Sequence, residues 1–265
     1  MPPASPLTLA ATETLRRIAA GPPDAAQLAA ALRHLAKWRA ELVANTILER
    51  SGTTVLSGPF KGMDYAIRAS EGSRSARLLG CYEASLAPVI EEIIARAYPL
   101  VIDVGSAEGY YAVGLARRMP GSRVLARDEN PKAQALCRLL AEGNGVADRV
   151  VVGGRMDYAD FSICADQPTL VLCDIEGAEA ELLDPVLAPG LRSADILVET
   201  HDVMRPGLSD LIAGRFAETH QITRLNRQIS ADLPDWMESL SDLDRLIALW
   251  EWRGGPTPWL WMQRK

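Results

Sequence analysis

The chain has 265 residues and a net charge of −6, from 28 Lys and Arg against 34 Asp and Glu, with 48% hydrophobic and 23% charged residues. That is the balance of an ordinary globular protein, too apolar for intrinsic disorder. It argues against a chain that coats nucleic acid, which needs clustered Lys and Arg to neutralise phosphates. Cys81, Cys137, Cys164 and Cys173 form no CxxC pair and no metal-finger spacing, so reduced thiols are expected. The N-terminus lacks a basic segment followed by an apolar one, and no stretch approaches the roughly 20 apolar residues of a membrane span. The expectation is a soluble cytoplasmic protein with no membrane partner.

The first fifty residues are rich in Ala and Leu. A helix is predicted over about 9–20, stopped by Gly21-Pro22-Pro23. Asp24 then offers an N-cap, and Gln27 three residues later completes a capping-box pattern. In the helix that follows, Leu28, Leu32, Leu35 and Trp38 recur at helical spacing and predict one buried face. His34 reads as a packing or surface residue. Residues 51–70 change to β-branched and aromatic residues around Gly58-Pro59 and Lys61-Gly62, which predicts short strands and a turn. A helix is expected over 81–97.

From Leu100 the chain alternates. Apolar runs at 100–104, 123–127, 149–152, 169–174 and 195–200 are separated by helical stretches at 110–118, 131–143, 178–187 and 206–217. Continuous apolar strands between helices predict a parallel sheet covered on both faces. Beyond it, residues 220–227 read as a strand, 235–253 as mainly helix, and 257–264 as a closing strand. The stretch Asn226–Trp236 is polar, contains Pro234 and is a candidate lid.

The segment Val101-Ile102-Asp103-Val104-Gly105-Ser106-Ala107-Glu108-Gly109-Tyr110-Tyr111 is a buried strand, a Gly-containing turn and a helix start. Such a turn binds ligands at the carboxyl edge of an open α/β sheet. Its G-x-x-x-G spacing is not the G-x-G-x-x-G of a dinucleotide site. Asp103 before the first Gly and Glu108 within the loop suit a ligand bearing an ammonium and a sulfonium, as S-adenosylmethionine does. Asp128, ending the next strand, stands about 20 residues on, where a carboxylate accepts from a ribose diol; Glu129 is its fallback.

DVGSAEGYYAVGLA, VLARDENPKAQALC and LVLCDIEGAEAELLDP together resemble class I S-adenosylmethionine-dependent methyltransferases, and most closely their FkbM-like branch. The resemblance covers about residues 80–225. It implies an α/β fold with a Rossmann-like, doubly wound, mostly parallel sheet, here with an N-terminal helical extension. It places Asp103, Gly105, Ser106 and Gly109 around the methionine moiety, with Glu108 and Tyr110 in the same loop. Asp128 falls on the ribose and Gly154-Arg155-Met156-Asp157 beside the adenine. The expected division is an extension over 1–79, serving as a cap or homodimer surface, and a methyltransferase domain over 80–265.

Methyl transfer is an in-line displacement that needs the acceptor held roughly 3–3.5 Å from an activated carbon and, for a hydroxyl, its proton removed. The candidates lie at two strand ends, Asp174-Ile175-Glu176-Gly177 and Glu199-Thr200-His201-Asp202. His201 is the expected general base, because its ordinary pKa of about 6.5 suits proton removal near neutrality. Asp174 and Glu199 orient the acceptor, and Asp174 and Glu176 also face the cofactor. Glu176 and Glu179 read in addition as acids favouring a helix dipole. A metal held by Asp174, Glu199, His201 and Asp202 is the alternative arrangement, and no metal ligand is assigned. Tyr82, Glu83 and Trp236 are expected to close over a small-molecule substrate, and the other C-terminal tryptophans, Trp250, Trp252, Trp259 and Trp261, to be core or interface residues. O-methylation is the expected reaction, with N- or C-methylation and a non-catalytic cofactor-binding protein as its rivals.

Overall fold

The computed structural model describes residues 3–67, 73–229 and 231–265. Residues 68–70 of the expected strand-and-turn segment, and residue 230 of the candidate lid, lie outside them.

Two N-terminal helices, α1 (Pro6–Ala19) and α2 (Ala25–Ser51), pack as a hairpin. Asp24 caps α2 by accepting from Gln27 N at 2.8 Å. Gln27 does not close the expected box. Its Nε2 donates instead to the carbonyls of Ile18, Ala19 and Gly21 and so ties α2 to the end of α1. The face of Leu28, Leu32 and Leu35 is not buried, with Leu28 and Leu32 about 70% exposed. The buried face lies further along the helix, at Ala40, Val43, Ala44 and Ile47. Helical spacing marks an apolar face, but only the tertiary arrangement decides whether anything covers it.

Residues 53–65 fold back on themselves through Val55 N to Met63 O and Tyr65 N to Thr53 O. They form one isolated bridge, Thr54 to Asp64, in place of the expected strands. The single helix expected over 81–97 is divided. It becomes a 3₁₀ turn (Ala84–Leu86) and α4 (Ala87–Arg96), preceded by a separate short helix, α3 (Arg74–Leu79). The break is set by Gly80 and Glu83, both in the left-handed region.

The remaining strands are β1 (Leu100–Val104), β2 (Arg123–Arg127), β3 (Val150–Gly153), β4 (Thr169–Cys173), β5 (Asp195–Glu199), β6 (His220–Leu225) and β7 (Trp259–Arg264). They make one sheet in the order β3-β2-β1-β4-β5-β7-β6. The first five are parallel, and β7 enters antiparallel between β5 and β6. Helices α5 (Tyr110–Arg118), α6 (Pro131–Gly143), α7 (Glu179–Leu182) and α8 (Leu208–Phe216) connect them, and α9 (Asp242–Ala248) precedes β7. This is the doubly wound, mostly parallel sheet the alternation predicts. Helix α7 is far shorter than the expected 178–187, because Asp184 turns the chain by accepting from Val186 N.

Strand alternation sorts the core onto two faces. Val101, Val124, Leu170, Leu172 and Trp261 meet α5, α6 and the buried half of α2. Ile102, Val171, Ile196, Val198 and Met262 meet Phe161, Ile212 and Phe216. Residues on both sides of the expected 79/80 boundary, among them Ile47, Val55, Met63 and Val113, share the first cluster. All four cysteines are buried and unpaired. Among the described residues no helix is long and apolar enough to cross a membrane.

Candidate active site

In an open α/β sheet, ligands bind beyond the carboxyl ends of the strands where the strand order reverses. Here that point lies between β1 and β4, and a cleft of about 880 Å³ opens there. Small-molecule sites typically span about 300–1,000 Å³. The cleft collects residues from the ends of β1, β2, β4 and β5, together with Arg33 and Lys37 of α2 and the segment 251–257.

The first wall is the turn after β1. Gly105 N and Ser106 N both donate to Arg127 O, at 2.8 and 3.0 Å, which pins the turn to the end of β2. Gly105 has φ +81°, and a Cβ there would lie 1.6 Å from Asp174 O. Only glycine lets β1 and β4 come this close. Gly109, at φ +94°, is less tightly held, with an added Cβ 2.7 Å from Cys137 Sγ. Asp128 accepts from Ala107 N at 2.9 Å and from Asn130 N at 2.7 Å. It thereby joins the two loops and still lines the cleft. The cap of α6 is Asn130, not Asp128.

Gly105, Ala107, Asp128, Glu129, Arg155 and Met156 line the cleft, as do Asp174, Glu176, Glu199 and His201. Arg155 pairs loosely with Glu129 and Asp157, at 3.7 and 3.6 Å. Other expected cofactor residues stand behind the loop. Asp103 is 1% exposed, with Oδ2 unpartnered, and burial pushes its carboxyl up to about 7. Ser106 is also buried. Glu108 does not face a ligand: it is fully buried against Arg77 at 3.1 Å and Tyr65 Oη at 2.6 Å. Tyr110 packs edge-on against Phe60, Tyr65 and Tyr82.

The floor of the cleft is a carboxylate–imidazole group. His201 Nδ1 donates to Glu179 Oε1 at 2.8 Å, the only sense possible with an ionised carboxylate. The same oxygen accepts from Ile175 N and Gly177 N, at 3.2 and 3.1 Å. Glu179 is therefore a buried clamp on the β4 loop, not a helix-dipole acid. Burial opposes its ionisation, but the bonds from His201 and Gly177 outweigh that and hold its carboxyl below the usual range. On the other side, His201 Nε2 faces Glu176 Oε2 at 3.4 Å, Asp174 Oδ1 at 3.6 Å and Glu199 Oε2 at 3.8 Å. Burial would lower the imidazole pKa, but Glu179 and the surrounding carboxylates raise it above its ordinary value. A lone neutral base is thus not what this ring is built to be. Burial, then Glu83, raises Asp174; burial, then Asp174, raises Glu199. Asp202 does not join the group, since it turns to Ser209 and Thr200.

Arg253, which sequence reasoning missed, closes this floor from the C-terminal segment. It pairs with Glu83, with Glu199 and with Glu251, and donates to Thr257 Oγ1 at 2.6 Å. Tyr111 Oη also donates to Glu83. Glu83 is therefore consumed in a buried network and lies off the main cleft, while Tyr82 lines it beneath the Arg77 guanidinium. Trp236 is not a cleft residue: its Nε1 donates to Ser51 Oγ at 3.2 Å, beside the core. The tryptophan that lines the cleft is Trp252, beside Tyr82 and Tyr158, with Lys37 Nζ 4.8 Å from its ring and its carbonyl accepting from Arg33. The covering segment is thus 251–257 and not 226–236. Gly254-Gly255 after Arg253 was its one sequence signal.

Fold and cleft define an open α/β protein with an acid-floored site at its switch point. No family model matches the chain. A release factor glutamine methyltransferase of Chlorobaculum tepidum is 40% identical over 52 residues, 20% of this chain and 18% of the relative. The match thus spans less than a fifth of the curated relative's length. The O-methyltransferase of Bacillus cereus, solved with SAH, superposes at TM-score 0.43 with 13% identity over 66% of this chain and 78% of that one. TYW2 of P. horikoshii, solved with MeSAdo, superposes at 0.40 with 15% identity over 66% and 61%. These structural likenesses are too distant to carry an argument, and the fold stands on its own strand order.

Proposed function

We propose that the protein transfers a methyl group from S-adenosylmethionine to a hydroxyl of a small molecule. The observation that carries this reading is the charge of the cleft. Carboxylates of Asp128, Asp174, Glu176 and Glu199 line it from the ends of β2, β4 and β5, around a glycine turn that leaves no room for a side chain. Acids grouped at these strand ends suit a ligand with an ammonium and a sulfonium, while Arg33, Lys37, Arg77, Arg127, Arg155 and Arg253 also line the cleft. The short identity to a methyltransferase of Chlorobaculum tepidum supports the same reading.

The residues present fit such a cofactor. Asp174 Oδ1 is buried without a hydrogen-bond partner at the β4 end. Asp128 would accept from the ribose, and Arg155 and Met156 would border the base. When bound, the sulfonium supplies an activated methyl carbon. The chain's own task is to hold the acceptor in line and to take its proton, which passes to the group formed by Asp174, Glu176, Glu199 and His201. His201 acts as a member of that group, not as an isolated base.

Isothermal titration of S-adenosylmethionine against NAD tests the reading. Binding of the first alone is expected, and binding of NAD alone would overturn it. Replacing His201 with Ala should then lower turnover while leaving cofactor affinity nearly unchanged.

A further inference from the structure

Helix α2 turns one stripe inward. Arg33, Lys37, Ala40 and Ala44 follow one another on it at helical spacing, and Ala40 and Ala44 are buried. Two cations thus stand on the stripe that a core-packed helix normally fills with apolar side chains. What lies beneath them is the cleft, which both residues line. Lys37 is half-buried there, with Nζ 4.8 Å from the centre of the Trp252 ring. Among the described residues neither cation pairs with a carboxylate, and Lys37 Nζ has no hydrogen-bond acceptor. The other cations of the cleft are engaged. Arg253 holds Glu83, Glu199 and Glu251, Arg77 meets Glu108, Arg155 meets Glu129 and Asp157, and Arg127 donates to the carbonyls of Ala126 and Val151.

A second observation concerns Trp252. Its φ is +68°, in the left-handed region that a bulky side chain seldom enters. Strain of this kind persists only where the surroundings fix it, and it gathers at ligand clamps. The surroundings here are specific. Arg33 Nη2 donates to Trp252 O at 2.7 Å. Next to it, Glu251 accepts from Glu83 N at 2.9 Å. On the other side, Val203 N and Thr200 N donate to Pro256 O and Pro258 O, at 3.2 and 2.8 Å. Helix α2 and the β5 loop therefore hold between them a fixed indole beside an unpaired ammonium.

We propose that Arg33, Lys37 and Trp252 form an anion subsite for the acceptor, and that the acceptor is a small hydroxy acid. Its carboxylate meets the two cations of α2, and its apolar body lies along Trp252. Charge sets the direction. Among Asp174, Glu176 and Glu199 a carboxylate is repelled, whereas beneath α2 it finds charged donors that no acid of the chain occupies. The cleft, at about 880 Å³, lies near the top of the range of about 300–1,000 Å³ for one small-molecule site, which leaves room beside a cofactor. That the acceptor's hydroxyl then points to the group around His201 rests on the methyl-transfer reading; the anion subsite itself does not. The N-terminal helices thereby take part in choosing the acceptor.

The test is titration calorimetry of the full chain with the ortho, meta and para hydroxybenzoates and with the matching hydroxybenzamides, which keep the outline and lose the charge. It is run with and without S-adenosylhomocysteine. At least one hydroxybenzoate should bind roughly tenfold or more tightly than its amide, the size of a charge-assisted hydrogen bond. Lys37→Met keeps an apolar stem beside Trp252 and should abolish that preference, with thermal denaturation confirming its fold. Lys37→Arg should restore most of it. Lys61→Met, at an exposed position outside the cleft, should behave as the parent does. Equal binding of acids and amides, no binding of any acid, or a preference that survives in Lys37→Met overturns the proposal. So does an equal loss of S-adenosylhomocysteine affinity in Lys37→Met, because the cations then hold the cofactor's own carboxylate. Cofactor binding without the acid preference defeats the anion subsite alone. An acid preference that Lys37→Met removes, in a chain that binds no cofactor, defeats the methyl-transfer reading alone.

Discussion

Glu179 and His201 come from different strand ends, 22 residues apart, and meet in a 2.8 Å hydrogen bond that no solvent reaches. Through the same oxygen Glu179 also holds Ile175 N and Gly177 N, so one carboxylate fixes both the ring and the β4 loop. Replacing it with Ala would strand these donors, each at about 1–3 kcal/mol when buried. The Glu179→Ala variant should melt on the order of 10 °C lower, at about 2–4 °C per kcal/mol for a chain of this size. Glu179→Gln keeps an acceptor and should recover at least half of that loss in thermal denaturation. Equal melting of the Ala variant and the parent would remove the clamp.

Gly105 makes a separate prediction. Its φ of +81° and the 1.6 Å approach of an added Cβ to Asp174 O leave no rotamer to relieve the clash, because the obstacle is backbone. Gly105→Ala must separate the ends of β1 and β4. Titration calorimetry should find cofactor binding abolished, and denaturation should find a loss of several kcal/mol. Gly121→Ala, where an added Cβ meets nothing, is the matched control.

Asp128 carries charge to the cleft while bridging two loops. Asp128→Asn keeps the outline of the side chain but removes the charge that strengthens a hydrogen bond to a hydroxyl, worth about 1.5–3 kcal/mol for a charged partner, and leaves one acceptor oxygen for the two loops that Asp128 joins. Cofactor affinity should fall by roughly tenfold or more, since about 1.4 kcal/mol is one decade. Unchanged affinity would place the ribose elsewhere.

Asp103 sets a pH dependence whose sign follows from burial. Its folded pKa of about 7 lies above its ordinary value of 3.8, so the folded chain binds more protons between these limits. Stability must therefore fall as pH rises through that window, by up to about 1.4 kcal/mol per pH unit from this group. Urea unfolding of Asp103→Asn at pH 4.5 and pH 7.5 should show a smaller decline than the parent. An identical decline would mean that the carboxyl is ionised in the folded chain.

Much of the fold was legible because its signals are local. A parallel strand covered on both faces is a short apolar run, and β1, β2 and β5 begin and end within a residue of those runs. Gly105 and Asp128 were legible for a related reason: a strand-end turn and the acid of the next strand keep their relation wherever such sheets form. Glu108, Tyr110 and Trp236 were misplaced, because their chemistry suits a cleft while their direction depends on which helix packs behind them. Arg253 was invisible for the opposite reason. Nothing in the order of residues relates it to Glu83, 170 positions away.

The sequence by itself determined the parallel strands, the glycine turn after β1 and the acids at the strand ends, since strand period and turn chemistry act over a few residues. Only the tertiary structure decided which of those acids face the cleft and which are neutralised behind it. Burial and pairing are set by contacts between distant segments, and they separate Glu108, matched by Arg77, from Glu176, which faces His201 across the cleft floor.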